Sequence, residues 1–159
     1  VSVLSESRLC HPDLLHDAKT LLDHAKWHGV AMIEFRVDPD GNAYLMEVNT
    51  RFWGSLQLAV DSGVDFPALL HRITQGNTVD NIGHYQVGRR LRWLLGDLDR
   101  LYLVLRKGSG KSIEEKFFEL VRFFNIRQFL KTRHEVNRFS DPGPAIYELK
   151  QYIIDVFKG

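Results

Sequence analysis

A single cysteine, Cys10, stands among 159 residues, so no internal disulfide can form and a reducing compartment is the expected setting. Charge of neither sign dominates: 21 Lys and Arg against 20 Asp and Glu leave a formal net charge of +1. That balance removes the overall basic bias on which nucleic-acid and membrane-surface binding depend. Long apolar runs are missing too. None approaches the ~20 residues of a membrane span, and no signal-peptide pattern follows Val1. Nor is there a low-complexity tract or a motif recurring at fixed period. A soluble, cytoplasmic protein is the expectation. With 44% hydrophobic and 11% aromatic residues the chain can bury one core or two small ones, and disorder is excluded.

What the chain does carry is concentrated between Val30 and Ser55. Two apolar runs flank the turn-forming cluster Asp38, Pro39, Asp40, Gly41 and Asn42, which predicts a β-hairpin. Side chains alternate along a strand, so Met32, Glu34 and Arg36 share one face while Ile33, Phe35 and Val37 share the other. On the return strand Ala43, Leu45, Glu47 and Asn49 alternate with Tyr44, Met46 and Val48. A four-residue loop, Pro39 to Asn42, pairs Asp38 with Ala43, Glu34 with Glu47 and Met32 with Asn49. Like charges set directly opposite each other are destabilising unless something neutralises them. A hard divalent cation does so, and carboxylate and carboxamide oxygens without thiol or imidazole suit Mg²⁺ or Mn²⁺. Mg²⁺ completes its shell with water and phosphate, so a nucleotide is the natural companion. Arg51 is placed to hold a phosphate or an anionic intermediate. The same alternation also fits a solvated amphipathic hairpin whose two glutamates face water.

The stretch resembles the metal-binding end of the ATP-grasp superfamily. There an acidic residue on one strand and an E-x-N on the next hold two Mg²⁺ ions that bridge the phosphates of ATP. The resemblance, which covers about Leu14 to Gly76, puts Glu34, Glu47 and Asn49 in the metal-binding places, Glu47 and Asn49 at the nucleotide, and Arg51 in the catalytic one. Met32 departs from relatives that carry an arginine two residues before the first acidic ligand, which leaves the anion-stabilising role to Arg51. The superfamily's nucleotide-clamping lysines and glycine-rich loop have no counterpart before Val30. The chain is therefore expected to be the C-terminal portion of a longer enzyme, and Val1 in place of an initiator Met agrees. The implied reaction joins a small-molecule carboxylate to an amine, or a thiol, through an acyl phosphate with release of ADP. Two alternatives stay open: an ATP-grasp kinase for a small molecule, and a non-catalytic interaction or regulatory module.

The expected fold class is α+β. Residues 1–76 are assigned to the C-terminal part of an ATP-grasp domain, an antiparallel sheet with packed helices. Residues 77–159 are assigned to a mainly helical subdomain. Pro12 opens a helix in which Leu14, Leu15, Ala18, Leu21, Leu22 and Ala25 repeat at helical spacing, and it is expected to pack on the hairpin's apolar face. His24 and His28 read as surface residues near its end. Leu56 to Gly63 is a short helix, and Asp65 caps another that ends near Gly76. Trp53 suits either an acceptor pocket or a structural core.

Beyond Asn77, Tyr85 to Leu95 reads as a strand, with a helix as the alternative, and its Arg89, Arg90 and Arg92 suit a solvated edge or, alternatively, contact with a phosphate or an acidic substrate. Asp97 caps a helix facing inward with Leu98, Leu101, Tyr102 and Leu105. The run Gly108 to Ser112 imitates a phosphate-binding loop, but that loop requires glycine where Leu105 stands. Ser112 and Glu115 instead form a capping box opening a helix that buries Phe117, Phe118, Leu120, Val121 and Phe124. A turn at Asp141 to Pro144 leads to a last helix with Ile146, Leu149, Ile153 and Phe157 inward.

Overall fold

The computed structural model describes residues 4–80, 82–125 and 132–158, and the fold is α+β. The chain forms two compact units. One is Ser7–Gly88; the other joins the N-terminal strand to the segment from Arg89 onward.

The unit Ser7–Gly88 begins with helix α1 (Pro12–His24), where Pro12 occupies the first turn and needs no N–H partner. The helix stops short of Gly29. Lys26 takes a positive φ of 49° and the Trp27 indole donates to the carbonyl of Val30, turning the chain into strand β2 (Met32–Val37). Strand β3 (Ala43–Asn49) returns antiparallel to it. The turn differs from the expected one: Val37, not Asp38, pairs with Ala43, so the loop holds the five residues from Asp38 to Asn42. Asp38 builds that loop. One carboxylate oxygen accepts the amides of Asp40 and Asn42 at 3.0 and 2.8 Å, the other accepts the Asn42 carboxamide, and Gly41 supplies the positive φ of 90°.

α1 does not close over the hairpin as expected. Leu14, Ala18 and Leu22 form a half-buried stripe on the helix, but Val37, Leu45 and Val48 on the hairpin's apolar side remain 51%, 51% and 39% exposed. Helices α2 (Leu56–Asp61) and α3 (Phe66–Thr74) follow. Each ends in a left-handed glycine: the Val64 amide reaches back to Ala59 past Gly63, and the Asn77 amide to Arg72 past Gly76. Asp65 caps α3 by accepting the Ala68 amide at 3.0 Å.

In the other unit, β1 (Leu4–Glu6) pairs antiparallel with β4 (Arg90–Arg92), which pairs parallel with β5 (Arg133–His134). Among the described residues this unit also holds helices α4 (Leu94–Leu105), α5 (Ile113–Phe123) and α6 (Gly143–Lys158). The expected strand from Tyr85 shrinks to three residues. Its arginines are not a solvated edge: Arg90 pairs with Glu6, and Arg92 is buried against Asp97 with its guanidinium 4.5 Å above the Phe123 ring. Asp97 is no cap. It lies in the first turn of α4 and bonds both Arg92 and Arg100, while Arg100 also reaches Glu119 at 3.0 Å. Arg100, held by the buried Asp97, thereby ties α4 to α5 through Glu119.

The inward faces shift accordingly. α4 buries Gly96, Asp97 and Leu101, whereas Leu98, Tyr102 and Leu105 lie outward. α5 does open with the Ser112–Glu115 capping box. Its phenylalanines at 117, 118 and 124 are nevertheless 62%, 69% and 70% exposed, and Leu120 and Val121 are exposed as well. On α6, Ile146, Leu149, Ile153 and Phe157 face out, while Glu148 bonds the Trp93 indole and Tyr152 bonds Asp99. Apolar periodicity marks which helix face avoids water; it does not supply a neighbour to cover it.

Candidate functional site: the acidic hairpin

Glu34 pairs with Glu47, and Met32 with Asn49. The two carboxylates and the carboxamide therefore stand on one face of the hairpin. This register is reached by an unexpected route. The five-residue loop would by itself offset the strands by one residue, but Met46 is bulged: Phe35 pairs with Leu45 while Glu34 pairs with Glu47. The bulge absorbs the offset and exchanges Leu45 and Tyr44 between faces. Leu45 joins Phe35 and Ile33 on the apolar side, and Tyr44 joins Arg36, its hydroxyl 3.4 Å from Asp38.

Both glutamates are exposed, and among the described residues neither carboxylate forms a hydrogen bond or ion pair. Asn49 is buried to 9% exposure, the most enclosed residue of the hairpin. Its carbonyl oxygen accepts the Arg51 amide at 3.4 Å, which orients the carboxamide at the end of β3. The Arg51 side chain is exposed and donates to the Phe52 carbonyl at 3.0 Å. Arg51 thus lies just past the strand that carries Glu47 and Asn49.

A divalent cation fits this donor set. Among the described residues no cation pairs with either of the two facing carboxylates, all donor atoms are oxygen, and the exposed side leaves room for water and phosphate ligands. No cluster of three or more His, Cys, Asp or Glu suited to a metal occurs among the described residues. His24 and His28 are exposed at and beyond the end of α1.

Trp53 follows Arg51 by two residues and is half-buried, edge-on to Phe66 with ring centroids 5.2 Å apart. The bulge escaped sequence reasoning because nothing in Tyr44-Leu45-Met46 marks one. The one usable signal is the five-residue string D-P-D-G-N, whose first residue reads equally as strand end or turn start.

The family profile described as "ATP-grasp in the biosynthetic pathway with Ter operon" matches residues 5–96, more than half of the chain. This chain belongs to that ATP-grasp family. Comparison with curated proteins and with solved structures gave no match.

Proposed function

We propose that this chain carries the metal-binding hairpin of an ATP-dependent, ADP-forming ligase that activates a carboxylate as an acyl phosphate for attack by an amine or a thiol. The observation that carries the reading is the direct opposition of Glu34 and Glu47 with Asn49 on the same face. Family membership supports ATP as the nucleotide. Glu34, Glu47 and Asn49 hold Mg²⁺ or Mn²⁺, Glu47 centrally because it lies between the other two positions. The cation supplies neutralisation of phosphate charge where phosphoryl transfer takes place. Arg51 adds a guanidinium for the transferring phosphoryl group or the tetrahedral adduct, once it exchanges the Phe52 carbonyl for an anion. Residues 1–76 are the part of the ATP-grasp domain that bears these groups and residues 77–159 an appended, mainly helical subdomain, although the family profile runs on to residue 96. The single free thiol, Cys10, suits a cytoplasmic setting.

This chain alone is expected to be inactive without the nucleotide-clamping half, so the test is ADP release from ATP by the intact enzyme with divalent cation and a panel of carboxylates and amines. Glu47→Gln is expected to abolish turnover with the fold intact. Full activity in that variant removes Glu47 from the site.

A further inference from the structure

A cavity of about 570 Å³ opens within the Ser7–Gly88 unit, on the segment that follows the metal hairpin. Its volume falls within the ~300–1,000 Å³ typical of small-molecule sites. The walls are mainly apolar: Trp53 and Phe66 meet edge-on, and Leu58, Leu69, Ile82 and Tyr85 continue the lining. Most lining hydroxyls are already committed to backbone. Ser62 donates to the Leu58 carbonyl, Ser7 to that of Gln86, and Tyr85 to that of Arg8. Two lining residues carry charge, Arg8 and Asp80. Arg8 is engaged in interactions of its own, whereas Asp80 forms no ion pair or hydrogen bond among the described residues.

An aromatic and aliphatic box with one uncommitted carboxylate at its wall complements a cation on an apolar skeleton. We infer that this cavity takes the amine substrate, a primary amine whose body is aromatic or branched apolar, with its ammonium at Asp80 and its skeleton against Trp53 and Phe66. The inference rests on the ligase reading for the word substrate; the recognition chemistry stands on the cavity alone. Chain continuity supports the pairing of the two sites, since Trp53 lies only four residues beyond Asn49. Asp80, the lining charge without a partner among the described residues, attracts an ammonium and repels a matched carboxylate; Arg8 carries the opposite charge but is engaged in interactions of its own, and a neutral analogue gains only the apolar contacts.

The test uses the whole ¹⁵N-labelled chain without metal or nucleotide, so it is independent of the hairpin. 2-Phenylethylamine, 3-phenylpropionate and 2-phenylethanol are titrated in turn while the three tryptophan indole N–H signals are followed, that of Trp53 being assigned from Trp53→Phe. The expected result is a saturable shift of the Trp53 signal with the amine, weakened about threefold in Asp80→Asn as an exposed ion pair allows, and at least threefold weaker binding of the carboxylate. A Trp53 signal unmoved by the amine, equal affinity in Asp80→Asn, or equal affinity for the carboxylate overturns the inference. The Asp80→Asn spectrum itself verifies that this exposed substitution leaves the fold in place. Loss of turnover in Glu47→Gln with amine binding retained separates a sound pocket from a sound ligase site; amine binding lost with turnover dependence on Glu47 retained separates them the other way.

Discussion

Glu34 and Glu47 stand face to face across the hairpin because Met46 is bulged out of the ladder next to them. Two like charges at ~5 Å between Cβ atoms weaken a hairpin in which neither finds a partner among the described residues. Such an arrangement costs the metal-free chain stability, and the proposed cation would relieve that cost. Glu34→Gln or Glu47→Gln is therefore expected to leave the metal-free chain as stable as before or slightly more so. Thermal melts check this, and a large loss of stability in either variant would show that the carboxylates serve the fold.

Asp38 gives the hairpin a pH dependence. Hydrogen bonds from the Asn42 side chain and amide, and then from the Asp40 amide and the Tyr44 hydroxyl, hold its carboxyl below the usual carboxylate range. A depressed folded-state value means the contribution is fully present above the unfolded value near 4 and is lost as pH falls through the folded value. Amide exchange across Val37 to Ala43 should quicken relative to intrinsic rates below pH 4. In Asp38→Ala the fast exchange should already be present at pH 7.

The other unit is expected to lose stability over a different window. Burial first, then the charges of Arg92 and Arg138, keep the His134 imidazole below its ordinary value. A histidine with a lowered folded-state value costs stability as pH falls through the unfolded value near 6.5, where the unfolded chain takes up the proton first. Melting of this unit should drop between pH 7 and 5.5. His134→Gln should flatten that slope, as followed by Trp93 fluorescence in a Trp27→Phe, Trp53→Phe background.

Asp97 is the electrostatic centre of that same unit. Removing it leaves Arg92, whose side chain is 8% exposed, without its carboxylate. Asp97→Ala should cost about 3–5 kcal/mol, the range for breaking a buried pair on one side. A denaturant series showing less than ~1 kcal/mol would mean that the stack of Arg92 on Phe123 suffices.

Gly96 faces a steric rather than an electrostatic constraint. A Cβ there would sit 2.2 Å from the Trp93 ring, which is held by its indole bond to Glu148. Alanine ordinarily favours a helix over glycine by ~1 kcal/mol. Here Gly96→Ala should instead destabilise by ~1–3 kcal/mol as the indole is displaced. An increase in melting temperature would show that the ring moves freely.

Local chemistry was legible in the sequence where a few adjacent residues decide it. The Ser112–Glu115 box, the Asp65 cap and the glycine ends at Gly63 and Gly76 depend on backbone groups within four or five residues, and they form as expected. The opposition of Glu34 and Glu47 was also reached, although through a loop one residue too short and without the compensating bulge. Burial was the harder quantity. Phe117, Phe118 and Phe157 have the spacing of a core stripe, but spacing cannot say whether a partner surface exists, and here Arg92, Asp97, Arg100 and Glu119 hold the helices instead. That network joins residues up to 27 positions apart through pairings of charge, which no single helical period encodes. Placing Arg92 on a solvated edge failed for the same reason.

The central claim is that Glu34, Glu47 and Asn49 hold a divalent cation together, and Mn²⁺ reads it directly. Mn²⁺ added to the ¹⁵N-labelled chain should broaden the amides of Glu34, Glu47, Asn49 and Arg51 first. Excess Mg²⁺ should reverse the effect, and Glu47→Gln should remove it. Broadening that spares the hairpin, or persists unchanged in Glu47→Gln, would contradict the account.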